Sequence, residues 1–127
     1  MKVIHYEQVP ATPVEMDGAE GCQIRQLIGQ PDHAPHFSMR QFEVAPGGHT
    51  PRHRHSHEHE VFVLEGNGTV SQADTQHQLR PGTVVFVPPN VEHQFRNTGN
   101  EPLKFLCLIP HPLGNMQGPP AAACGCE

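Results

Sequence analysis

Turn residues break this chain at such short intervals that no long helix fits between them. Pro46-Gly47-Gly48, Gly66-Asn67-Gly68, Pro81-Gly82, Pro88-Pro89-Asn90 and Thr98-Gly99-Asn100 are all strong turn signals. Gly and Pro, at 12 and 14 residues, make up about a fifth of the 127. Proline removes a helix hydrogen bond and glycine favours turns, so many short elements are expected. Short runs of β-type composition lie between the breaks, at 23–28, 37–44, 60–64, 69–72, 83–87, 91–96 and 103–109. No segment shows sustained helical periodicity, and there is no internal repeat. Evenly spaced short strands predict an all-β sandwich or barrel.

The length suits one domain. Residues 1–22 are polar, with Pro10 and Pro13, and read as an N-terminal arm containing one edge strand that can swap across a dimer. The barrel is expected over 23–112. Residues 113–127 read as a flexible tail ending in Cys124-Gly125-Cys126-Glu127. Eight Lys and Arg against 13 Asp and Glu leave a formal charge of −5, which disfavours nucleic acid as a partner. No apolar run is long enough to span a membrane, and the first residues lack a signal-peptide core, so a cytoplasmic location is expected. Cys22 and Cys107 stand alone and Cys124 and Cys126 sit near the end, which is not a disulfide framework.

Histidine is the unusual component, with 11 residues against 8 Lys and Arg. Five of them fall in His53-Arg54-His55-Ser56-His57-Glu58-His59 and its approach, Gly47-Gly48-His49. Alternate residues of a strand share a face at about 3.3 Å rise per residue, so His53 and His55 can converge on one ion. A metal needs further ligands from elsewhere in the fold, and His93, just after the turn at Pro88-Pro89-Asn90, is a candidate.

These two segments resemble the paired motifs of the cupin superfamily. Gly47, His53, His55 and Gly66 occupy places in the first motif, and His59 stands where that motif usually has an acid. Gly82, Pro88, His93 and Asn97 match the second, with Asn90 in place of a glycine. The resemblance covers about residues 24–110 and is similar to small single-domain cupins whose metal is held by four histidines, manganese-containing ones among them. It implies an antiparallel β-barrel of the jelly-roll type, a double-stranded β-helix, with a divalent transition metal held by His53, His55, His59 and His93. Mn or Fe is favoured, although Ni, Cu, Zn and Co suit nitrogen ligands equally. Glu60 is the alternative ligand at the third position, and His57 shares the alternation and competes with it. Four neutral imidazoles leave the ion at +2, which favours an anionic small-molecule substrate, and six-coordination leaves two open positions.

Further residues fall around this centre. Phe95 should share the face of His93, and Phe105, Cys107 and Ile109 should share one face of the last strand, with His49 at the pocket mouth. Cys107 is either a thiol near the metal or a small buried residue. Arg40 is either a charge on the solvent face, the first reading, or an internal cation that orients an anion. Arg40 and Cys107 are the candidate catalytic residues. Glu43, Glu60 and Glu92 read as solvent-facing, so no internal general base stands out. The leading functional expectation is a metal-dependent oxidoreductase, dioxygenase-like, acting on a small organic molecule, in a homodimer. The alternatives are a non-catalytic binding or sensor protein, and an isomerase or lyase in which the ion stabilises an enolate.

Overall fold

The computed structural model describes residues 1–111, so the tail with Cys124 and Cys126 lies outside the described residues. Nine strands form one antiparallel sheet: β1 Thr12–Pro13, β2 Glu20–Ile28, β3 Phe37–His49, β4 His59–Glu65, β5 Gly68–Gln72, β6 Thr75–Leu79, β7 Val84–Val87, β8 His93–Asn97 and β9 Leu103–Pro110. Their order is β6-β5-β8-β3-β9-β4-β7, with β2 also on β3 and β1 on β2. The end strands β6 and β7 do not pair with each other. The sheet therefore curls into a half-barrel with a cleft between these two edges.

Inward apolar residues alternate along β3, β4 and β9. Phe42 and Val44 on β3, Val61 and Val63 on β4, and Phe105 and Cys107 on β9 are buried. Paired residues share a face, so Arg40 lies beside Cys107, Phe42 beside Phe105, and Val61 beside Cys107. Three phenyl rings stack across the interior, Phe42 on Phe105 at 5.3 Å and Phe105 on Phe95 at 4.7 Å between centroids. Buried Asn97 closes the β8–β9 turn. Its Nδ2 donates to Val44 O and Glu101 O, and its Oδ1 accepts from Gly99 N, each at 2.8 Å.

Two elements depart from the sequence expectation. Pro46-Gly47-Gly48 does not end a strand. It bends β3, which leaves β9 after Val44 and reaches β8, where His49 faces Arg96. Gly47 there has φ of +81°, and a Cβ on Gly48 would lie 2.5 Å from Glu20 O, so the bend takes glycine where the strands approach. The second is β6, Thr-Gln-His-Gln-Leu, which carries one apolar residue and gave no strand signal. It forms as the outer half of a hairpin with β5.

The arm joins its own barrel. β1 pairs with β2 through Thr12 and Ile24, and β2 begins at Glu20, ahead of the expected boundary. The Arg25 guanidinium donates to Val9 O at 2.5 Å and lies over the Tyr6 ring. Outside the barrel, Phe62, Leu64, Val84 and Phe86 on β4 and β7 are exposed. No helix among the described residues is long and apolar enough to cross a membrane.

Gly66 and Gly82 both have positive φ, +89° and +92°. A Cβ at Gly66 would lie 2.4 Å from Pro102 O, whereas nothing lies within 4 Å of one at Gly82. Gly82→Ala should therefore cost only left-handed strain, about 1–2 kcal/mol. Gly66→Ala should cost roughly 2 kcal/mol more, within the overpacking range. Urea denaturation of the two variants checks this, and equal costs contradict it.

Candidate metal centre

The turn that follows β3 runs alongside β8 and brings the two histidine segments together. Thr50 N donates to Phe95 O at 2.9 Å, and Thr50 Oγ1 accepts from Phe95 N at 2.9 Å. His53 and His93 then exchange two backbone bonds of 3.2 and 3.0 Å. Asn90 N donates to His55 O at 2.6 Å, and Asn90 takes φ of +65°, the left-handed backbone that its motif position requires. His59 opens β4 opposite Val87.

Four imidazoles converge as a result. Ring centroids lie 4.5 Å apart for His53 and His55, 4.4 Å for His55 and His59, and 5.2, 5.2 and 5.3 Å from His93 to His53, His55 and His59. One nitrogen each of His53, His55 and His93 lie within 4.8 Å of one another, and the same holds for His55, His57 and His59. Two bonds of about 2.1 Å to one ion span up to about 4.2 Å between nitrogens, so little contraction is needed. The cluster can hold a metal ion.

The surroundings suit a cation. Burial keeps the rings neutral, holding His53 at about 4 and His55 at about 3 and pushing His59 lower still. Neighbouring positive charges, Arg40 among them, act in the same direction on these three. Burial also lowers His93, against the upward pull of its bond to Val91 O. His93 Nδ1 lies 2.9 Å from that carbonyl and donates to it, which leaves Nε2 for a metal. His59 Nδ1 lies 2.9 Å from Cys107 Sγ, which also accepts from Arg40 at 3.2 Å. With its proton on Nδ1, His59 likewise presents Nε2 to the cluster.

Arg40 corrects the solvent-face reading, because it is only 2% exposed. Alternation from Phe42 and Val44 places it inward, a signal the sequence carried. It lies behind the histidines as a buried cation, with Cys107 between it and His59. Glu60 is exposed on the outer face and hydrogen-bonded to Glu58, which helps hold it up at about 7, so it does not enter the cluster. Phe95 and Phe105 line a small cavity beside His53, His59 and His93, as does Cys107. Val14 lines it too, so the arm contributes a wall that its polar composition did not reveal. His49 and Ile109 line neither this cavity nor the larger cleft. His49 is tied instead to Gln94, 3.4 Å away, and Ile109 packs against the core.

The small cavity measures about 30 Å³. On the other side of His93, the gap between β6 and β7 forms a cleft of about 380 Å³. Val70, Leu79, Val85 and Val87 give it apolar walls, with Ser71, Gln72, Gln78 and Thr83 as polar groups. His77, itself exposed on edge strand β6, also lines it, cross-strand from Val70, which pairs with Phe95.

A family model for the Cupin domain matches residues 40–109, more than half of the chain. The chain belongs to the cupin family. The all-β, jelly-roll antiparallel architecture expected from the sequence is the fold observed. Auxin-binding protein 1 of Arabidopsis thaliana is 41% identical over 115 residues, 79% of this cupin and 56% of the relative. The 1-methylthio-D-xylulose 5-phosphate methylsulfurylase of Rhodospirillum rubrum is 39% identical over 71 residues, 56% of this cupin and 46% of the relative. This cupin thus spans about half the length of these curated relatives. Among solved structures, the polyketide cyclase RemF from Streptomyces resistomycificus superposes with a TM-score of 0.82 at 37% identity, covering 87% of this chain and 79% of that one.

The buried neutral histidines give the metal-free protein a defined acid sensitivity. Their folded values lie below the ordinary 6.5, so the unfolded chain takes up protons that the folded form resists. That contribution to stability is fully present above about pH 6.5 and is lost as pH falls through about 4. Denaturation midpoints of chelator-treated protein should fall over this window, and His55→Ala should flatten the slope.

Proposed function

We propose that this cupin holds one divalent transition metal through His53, His55, His59 and His93 and acts on a small molecule with an acidic C–H next to a carbonyl. The observation that carries this reading is the 380 Å³ cleft, which opens on His93 and is lined by no carboxylate among the described residues. The 37% identity to a polyketide cyclase supports it, since ring closure of a polyketide begins at such a carbon. A divalent ion at the four imidazoles supplies Lewis acidity toward a carbonyl oxygen.

The chain's own residues do the rest. The valine and leucine walls give the cleft an apolar lining against which the carbon skeleton of the substrate packs. Ser71, Gln72, Gln78 and Thr83 orient the polar edge of the substrate. His77, whose ring lines the cleft, takes the proton at a ring nitrogen. Neutral ligands leave the charge of the ion uncompensated, and Arg40 adds to it, which favours an anionic substrate form. The reading asks only for a Lewis acid, so it admits Zn as well as the Mn or Fe expected from the sequence. The exposed apolar face of Phe62, Val84 and Phe86 supports the expected homodimer.

The oxidoreductase reading is the second. The 30 Å³ cavity against Phe95 and Phe105 is about the volume of one water or dioxygen molecule, which suits a diatomic co-substrate.

Hydrogen–deuterium exchange at the central carbon of a β-dicarbonyl probe, followed by NMR under nitrogen, separates the readings. The Zn(II) form should accelerate exchange, His93→Ala should lose the metal and the acceleration, and His77→Gln should slow it about 10²-fold while keeping the metal. Oxygen uptake confined to Fe(II) or Mn(II) forms, with no exchange by the Zn(II) form, would overturn the proposal in favour of the oxidoreductase. Metal and probe binding with neither reaction would leave a binding or sensor protein in its place.

A further inference from the structure

Ser71, Gln72, Gln78 and Thr83 all line the cleft, but the strand register gives them different directions. Val70 and Leu79 are buried on the inner face of β5 and β6, and alternate residues of a strand share a face. Gln72 and His77 therefore point inward with them, whereas Ser71 pairs with Gln76, and Gln78 with Thr69, on the opposite face. Ser71 Oγ also donates to Gln94 O at 3.5 Å, and Thr83 Oγ1 accepts from Arg80 N at 3.1 Å, so both are engaged within the protein. Gln72 is exposed at the end of β5, with its amide toward the cleft.

Its neighbours on that face give the amide a task. Gln72 stands directly opposite His93 across β5 and β8. Such pairs have Cβ atoms about 4.5–5.5 Å apart, so a glutamine side chain reaches an atom held beside the His93 ring. Across β5 and β6, Gln72 faces Thr75 and is diagonal to His77. Diagonal neighbours are about 7–8 Å apart, which two long side chains can bridge. The inner face thus carries His93, an amide and a second imidazole in sequence, with the amide in the middle.

We propose that Gln72 is a catalytic residue, whose side-chain amide donates a hydrogen bond to the substrate's carbonyl oxygen while His77 removes the proton from the neighbouring carbon. This rests on the reading of the cleft as a site of proton removal beside a carbonyl. The C–H bond breaks and its proton goes to a ring nitrogen of His77. The electron pair left behind forms a C=C bond, and the carbonyl π pair moves onto oxygen. Negative charge therefore develops on the oxygen that Gln72 faces. A hydrogen bond to a charged acceptor is about twice as strong as one to a neutral carbonyl, so the amide favours the enolate over the bound ketone and lowers the barrier between them.

Calorimetric titration of the full chain with two probes of one shape tests the role. The first is a six-membered cyclic β-diketone, ionised to its enolate at neutral pH, and the second is its analogue with two methyl groups on the central carbon, which stays neutral. Gln72→Leu should bind the enolate about tenfold more weakly than wild type, bind the neutral analogue equally well, and keep its metal. In the exchange assay its kcat should fall about 10²-fold with KM little changed. Gln72→Glu, which keeps the shape and loses the donor, should weaken the enolate at least as much. Gln76→Leu, exposed on the opposite face of β6, should match wild type. Equal loss of both probes in Gln72→Leu, or an undiminished affinity for the enolate in both Gln72 variants, overturns the inference and leaves the proton-removal reading standing. Failure of the wild-type protein to accelerate exchange overturns that reading and this inference with it.

Discussion

Two backbone hydrogen bonds between His53 and His93 hold the centre together, because they join segments 40 residues apart in sequence at the one point where their side chains meet. Everything upstream serves this junction. β3 must bend at Gly47 and Gly48 to carry the chain from β9 to β8, and Thr50 then pins the returning segment to Phe95. Asn90 turns the chain into β8 while bonding His55 O. Without that frame, four imidazoles on flexible loops would have to lose their freedom for each ion bound.

The frame also has a thermodynamic cost. Rings buried with their nitrogens facing one another, close to a buried guanidinium, resist protonation. A divalent ion at the cluster would relieve this by taking the lone pairs, which would couple metal binding to folding. Cys107 has a place in that balance. Its sulfur lies between Arg40 and His59, which keeps the cation one contact away from the His59 ring and orients that ring.

Most of the architecture was legible in the sequence because turn residues and alternation act locally. Phe105 and Cys107 against Leu106 and Leu108 gave the correct faces of β9, and the two motif segments carry histidines that the fold brings together. Features that depend on distant partners were not legible. β6 is polar and exists through its pairing with β5, and the Gly-rich bend in β3 looks locally like a strand end. His57 shares the two-residue spacing of its neighbours, so spacing alone could not separate it from them. The cleft belongs to no segment, since it arises where β6 and β7 fail to meet.

The most direct test of the central claim is the ligand environment of the metal in protein purified as it exists in its host. X-ray absorption at the metal edge, read together with pulsed EPR or its diamagnetic equivalent, counts imidazoles and carboxylates. Four imidazole nitrogens at about 2.0–2.2 Å in the wild-type protein, with no stoichiometric metal retained by His93→Ala, are the predicted result. A carboxylate in the first coordination sphere, or stoichiometric metal retained by that variant, would contradict the account.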